Sequence, residues 1–288
     1  MIIRICILLL AFLALRVQAE AEELSIVVSD LLGEAMREPL EAYKETNGDS
    51  LEYEFLGTLP ALEDMESGEI DLAVIAVPET REPPREQYAL YPFAYSVAVV
   101  AVNNNNPITE LTLRDLGGIY GEGEEKNIGN WGELGLSGWE NRSVKPLVGR
   151  DEESISTELF KHTVIRTKRL KNSVAVLNRG EAEAMVASDA AAIVVLPAPS
   201  NNENLKTLML AESNEDPAFG VTEENVYYGD YPVRLTFYIV FPEEKRERLQ
   251  GVLRVLLSDE VVESLRENDL LGLPETVRSR FKHEFEIE

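Results

Sequence analysis

Pro146-Leu147-Val148-Gly149-Arg150-Asp151-Glu152-Glu153-Ser154-Ile155-Ser156-Thr157-Glu158-Leu159-Phe160 runs from an apolar stretch through a polar turn into an apolar-periodic segment. The pattern predicts strand, loop and helix, with Ser154 or Ser156 as the N-cap. The first N–H groups of a helix lack intrahelical partners and sit at the positive end of its dipole, so such a start suits an anion. Arg150 adds a planar fork of donors matched to oxyanions. A purely structural role fits the same residues: Ser154 as a cap, Arg150 paired with a nearby carboxylate. The flanking sequence bears on that choice.

Upstream, Leu24–Ser29 reads as a buried strand, followed by helical periodicity through Met36, Leu40 and Tyr43 that Asn47-Gly48 stops. Pro39 either kinks that helix or begins it. Leu51, Tyr53 and Phe55 alternate with Glu52 and Glu54, the mark of a half-buried strand. Gly57-Thr58 leads into a short helix carrying Leu62 and Met65 and closed by Ser67-Gly68, with Thr58 as its expected cap. Ile70–Val77 is continuously apolar, as a parallel strand covered on both faces should be. The alternation of strand and helix predicts an α/β sheet.

Residues 79–87 read as a charged, Pro-rich loop and Val97–Val102 as a buried strand ending in the Asn103–Pro107 turn. Thr112-Leu113-Arg114-Asp115 is a capping box opening a helix to Tyr120. The glycine-rich stretch that follows is expected to be loop, with Trp131 and Trp139 as packing anchors. Downstream, Ser173 is expected to start a helix and Glu181–Ala187 to form a second. Ala191–Leu196 and Leu205–Leu210 read as strands, 211–230 as polar loop, and Val233–Phe241 as a returning strand. Helices at Lys245–Leu257 and Glu260–Glu267 precede Gly272-Leu273-Pro274, which breaks into a charged tail. The sequence contains no internal repeat.

The 288 residues begin with Arg4, an apolar run from Ile5 to Leu15, and the small-residue site Val17-Gln18-Ala19. That is the pattern of a secretory signal peptide over residues 1–19, too short for a permanent span, with Ala19-Glu20-Ala21 offering a second cleavage point. The one cysteine, Cys6, falls inside it and lacks the context of a lipid-modified cysteine, so a cleaved chain carries no thiol and no disulfide. Removing Arg4 and Arg16 takes the net charge from −25 to −27. Such a chain repels nucleic acid and anionic membranes, and any anion site must be a local positive pocket. His162 and His283 are far apart, which leaves no set of zinc ligands and no support for a Ser-His-Asp triad.

Several of these pieces, in order, resemble the PstS phosphate-binding proteins of ABC importers. Leu111–Leu116 through Ile119-Tyr120 looks like the family's helix after its first crossing. Lys126-Asn127-Ile128-Gly129-Asn130-Trp131-Gly132-Glu133-Leu134 looks like its Asn-Trp loop. Arg150-x-x-x-Ser154 sits where the family's Arg-x-x-x-Ser-Gly-Thr anion loop sits, and Ser67–Asp71 and Tyr231-Pro232 through Tyr238 also match. The resemblance spans nearly all of the chain after the leader. It implies a two-lobed, type II periplasmic-binding-protein fold, α/β, each lobe a mainly parallel sheet flanked by helices. One lobe would join residues 22–97 with 237–288; the other would be 98–236, with hinge crossings near Ala98–Asn104 and Gly229–Thr236.

The resemblance also implies a ligand site between the lobes, built from Ser29 and Asp30 of the first loop, Thr58 of the second, and Arg150, Ser154 and Ser156 of the anion loop. The departures are specific. Ser29-Asp30-Leu31-Leu32 lacks the family's small and threonine residues, and Asp30 would meet an anion with like charge. Ala76 stands where the family has the carboxylate that accepts the proton of hydrogen phosphate, which a methyl cannot do. Ile155 replaces the loop's Gly, while Ser156 keeps the hydroxyl of its Thr.

The implied protein is a periplasmic or secreted, monomeric solute-binding component of a phosphate-type transporter. Its ligand would be phosphate or a related oxyanion, its partner an ABC permease, with no metal, no cofactor and no catalysis. No nucleophile with an adjacent base assembles from the sequence. The alternative keeps the fold but gives it a decayed pocket and a role in recruitment or signalling.

Overall fold

The computed structural model describes residues 23–47, 51–79, 81–84, 88–150 and 155–287. The expected signal peptide, with Cys6, and the loop residues Asp151–Ser154 lie outside them. Among the described residues, no helix is long and apolar enough to cross a membrane.

The chain opens with β1 (Leu24–Ser29), a 3-10 turn over Asp30–Leu32, α1 (Gly33–Asn47), β2 (Leu51–Leu56), α2 (Thr58–Ser67) and β3 (Leu72–Val77). β4 (Ala89–Val97) and β5 (Val99–Asn103) then carry it from the first sheet to the second, with Ala98 between them. The middle holds β6 (Glu110–Thr112), α3 (Leu113–Tyr120), β7 (Lys145–Gly149), α4 (Ser156–Val164), β8 (Ala175–Leu177) and α5 (Arg179–Ser188). It continues through β9 (Ala192–Leu196), β10 (Leu205–Thr207), β11 (Met209–Ala211) and α6 (Glu223–Tyr228). β12 (Arg234–Phe241) returns to the first sheet, and α7 (Arg246–Leu256), α8 (Asp259–Glu267), β13 (Leu271–Gly272) and α9 (Glu275–Glu284) complete it.

Two main sheets result, ordered β13-β4-β12-β3-β1-β2 and β10-β5-β9-β7-β8, with a small β11-β6 pair. Each has a trio of parallel strands towards one edge: β1 between β2 and β3, and β7 between β8 and β9. The strands that carry the chain across run against it, β12 against β3 and β4, and β5 against β9 and β10. Each sheet is therefore mixed rather than mainly parallel. One apolar core extends from the inner strands of the first sheet through Trp131 and Phe160 to Ile193 and Val195 of the second. Smaller cores lie under α2 and α5, on the other faces of the two sheets.

Pro39 lies inside α1 and removes the N–H that would bond the carbonyl of Ala35. Ser264 Oγ, from α8, donates to that carbonyl at 2.7 Å, so the breach is filled from a neighbouring helix. Trp131 is buried, with its indole N–H on the Ala191 carbonyl at 3.0 Å and Trp139 edge-on beside it. The Thr112–Asp115 capping box forms as expected.

Four local expectations need correction. Ser173 starts no helix; the chain enters β8 two residues later, and Asn178 caps α5 with a reciprocal bond to Glu181. The polar stretch 211–230 contains α6, capped by Thr222. The charged tail is α9, which buries Val277 and Phe281 in the core with Phe285 just beyond it. Thr58 is the first residue of α2 rather than its cap, a place taken by Gly57.

Candidate functional site

The carboxyl ends of β1, β2 and β3 form one rim, because these strands are parallel and adjacent. Ser29 ends β1 and is buried, and Asp30 follows it into the 3-10 turn as an exposed residue. The Asp30 carboxylate accepts the backbone N–H of Leu31 at 3.0 Å. Thr58, at the start of α2, does not present a free hydroxyl: it donates to the Ala76 carbonyl at 2.8 Å and accepts from the Ala76 N–H at 3.2 Å. Ala76, next to the end of β3, is thus tied to Thr58 through its backbone. Two large apolar side chains stand exposed on this rim, Leu31 at 41% and Leu59 at 61%.

A carboxylate does stand at the end of β3, three residues beyond Ala76. Glu79 is an exposed residue whose carboxylate pairs with Arg234 Nε at 3.1 Å and lies 3.3 Å from Thr236 Oγ1. Arg234 also donates to the carbonyls of Val226 and Tyr227 at the end of α6 and packs over the Tyr95 ring. Burial raises the Tyr95 phenol above its ordinary range, so it stays neutral beside that guanidinium. Sequence reading stopped at Ala76 and missed this cluster. The acidic Pro78-Glu79 that follows β3 was the available signal.

The second rim belongs to the other sheet. Register places Gly149 beside Leu177, so Arg150 leaves the carboxyl end of β7 next to the start of α5. Arg150 is exposed. α4 begins at Ser156 with Ile155 in the N-cap position and no side-chain cap. Ser156 is one residue too late to be the N-cap and is buried at the first helical position, and Ser154 lies outside the described residues. Thr157 is buried beside it, and its hydroxyl donates to the Gly149 carbonyl at 3.0 Å, fastening the helix start to the strand end. The strand and the helix expected in 146–160 are both present, with the backbone start of α4 placed directly over the end of β7.

The fold therefore brings Ser29, Asp30, Thr58 and Ala76 together on one rim, and Arg150 with Ser156 on the other. Among the described residues, no group of three or more His, Cys, Asp and Glu side chains is placed to hold a metal ion. A family model described as a PBP superfamily domain matches residues 16–260. The chain belongs to the PBP superfamily.

Solved structures share this fold across most of the chain. A protein described as a "possible phosphate binding protein" from Planctomyces limnophilus matches with a TM-score of 0.69 at 16% identity, covering 92% of this chain and 97% of that one. PstS from Borrelia burgdorferi matches with a TM-score of 0.69 at 18% identity, over 88% and 99%. An ABC-type phosphate transport receptor from Vibrio cholerae gives 0.60 at 19%, over 88% and 100%. No curated protein matches the sequence. The two-lobed, type II binding-protein fold expected from the PstS resemblance is the fold of this PBP superfamily member.

Proposed function

We propose that this chain is the exported solute-binding component of a phosphate-type ABC transporter and binds an oxyanion between its two rims. Residues 22–97 with 237–288 form one lobe and 98–236 the other, and no bond in the ligand is made or broken. One observation carries the reading: an exposed Arg150 stands at the strand end beneath the start of α4, in a fold shared with phosphate-binding proteins. A guanidinium beside the positive end of a helix supplies what an oxyanion needs in a protein whose net charge is −25. Ser154 and Ser156 belong to this half of the site, Ser29 and Asp30 to the opposing half. The Thr58 hydroxyl, held by Ala76, contributes only if it exchanges that partner for the ligand.

The test is calorimetric titration with phosphate, sulfate and a small carboxylate. Binding of at least one oxyanion, lost in Arg150→Ala, is the expected result. Anion binding that survives Arg150→Ala places the site elsewhere. The second reading, a recruitment or signalling module with a decayed pocket, draws on the same Thr58–Ala76 contact, which closes half of the site on itself. Absence of any anion binding by a folded protein selects it.

A further inference from the structure

Arg179 and Asp269 stand 90 residues apart in sequence and meet across the two lobes. Arg179 is the first residue of α5, directly after β8, and Asn178 fixes that helix start through its reciprocal bond with Glu181. Asp269 sits in the turn between α8 and β13. β13 pairs antiparallel with β4, Leu271 beside Tyr95, so Asp269 lies level with the end of β4 that leads into the second sheet. Arg179 Nη1 reaches Asp269 Oδ1 at 2.7 Å and Oδ2 at 2.5 Å, while its Nε reaches Glu183 Oε1 at 3.1 Å. Glu183 holds the guanidinium from its own helix through Nε, while Nη1 meets Asp269.

We infer that the Arg179–Asp269 pair is a latch that holds the two lobes closed over the cleft before any ligand arrives. Other polar contacts also span the two lobes, among them Arg280 to the Tyr227 hydroxyl at 2.8 Å, Arg266 to Glu223 at 3.7 Å and Arg234 to Glu79 at 3.1 Å. The Arg179–Asp269 pair differs from these in bringing both carboxylate oxygens to one guanidinium nitrogen, from α5 of one lobe to the α8–β13 turn of the other. The backbone of Asp269 accommodates the contact: its φ is 58°, in the left-handed region that aspartate enters more readily than most residues, and the turn is tied by the Leu270 N–H to the Leu265 carbonyl at 2.9 Å. The pair is partly solvated, with Arg179 33% and Asp269 36% exposed, which makes the latch weak, reversible and sensitive to salt.

The inference rests on the lobe division proposed above and not on the identity of the ligand, so its test is run on ligand-free protein. Spin labels at Glu63→Cys and Glu203→Cys, in a Cys6→Ala background, report the distance between lobes. Asp269→Asn and Arg179→Gln should each raise the open-to-closed ratio roughly 1.5- to 5-fold, the range set by solvent-exposed ion pairs. The double variant should go no further than either single one, because both remove the same contact. High salt should move the wild type towards the variants. Asp269→Gly guards against misfolding: it suits the left-handed turn, so it should melt no lower than wild type and yet open the lobes. A distance distribution that Asp269→Gly and Arg179→Gln leave unchanged overturns the latch.

Discussion

The two rims of the cleft are built alike and equipped differently. Each is a set of parallel strand ends leading into helix starts. On the second rim the strand end and helix start are pinned together by Thr157 on Gly149, leaving Arg150 exposed. On the first rim the hydroxyl that matches the family pattern is spent on the backbone of Ala76, leucines stand exposed, and the charged groups are acidic. The lesson is that a shared fold conserves the frame of a site more readily than its chemistry. In the proposed reading one rim supplies the means to hold an anion, and the other, with Ala76 at the family's carboxylate position, offers no acceptor for a protonated one.

Restoring that acceptor should have the largest effect. Ala76→Asp returns a carboxylate to the first rim, and pairing a donor otherwise buried without a partner is worth about 1–3 kcal/mol, roughly 5- to 150-fold in affinity. Hydrogen phosphate should gain by that factor over sulfate in paired titrations. Equal gains for both anions would mean that the introduced carboxylate does not face the ligand.

Thr58→Val asks whether the first rim contributes to binding at all. It removes both bonds to Ala76 and should cost about 1–3 kcal/mol of stability by denaturant unfolding, while anion affinity changes by no more than about twofold. A large loss of affinity without a loss of stability would show that the hydroxyl exchanges partners when ligand enters.

A smaller effect separates the helix starts of the second lobe. α3 is closed by its own capping box, whereas α4 has no side-chain cap. Burial acts to raise the pKa of Asp115, but hydrogen bonds from Lys126 and Thr112 outweigh it and hold the carboxyl below its ordinary 3.8. The stabilisation is therefore complete above that value and is lost as the pH falls through the lower folded-state pKa. Thermal unfolding across the acid range should show this slope in the wild type and a shallower one in Asp115→Asn.

Much of the frame was legible because it is written in local pattern. The continuous apolar run ending in Val77, the Thr112 capping box and the strand and helix of 146–160 each depend on neighbours a few residues away. The α9 helix was missed: Val277, Phe281 and Phe285 recur at four-residue spacing, but the charged residues between them read as a tail. β8 was misread because Ser173 resembles a cap, although Ala175–Leu177 is too short to declare its period. What local pattern cannot carry is pairing at a distance. The Ser264 hydroxyl that repairs the break at Pro39, the Thr58–Ala76 contact, and the meeting of Glu79 with Arg234 all depend on how the sheet folds back. Ala76 was recognisable in sequence as a missing acceptor, but not the spent hydroxyl beside it.

The central claim is that binding depends on the Arg150 rim and that the opposing rim offers no acceptor for a ligand proton. The most direct measurement is the ratio of sulfate to phosphate affinity in the wild-type protein near neutral pH, by calorimetry under identical salt. The account predicts that the two dianions bind with similar affinity, because Ala76 has no carboxylate and Glu79 is committed to Arg234 and Thr236. A strong preference for phosphate over sulfate would contradict it.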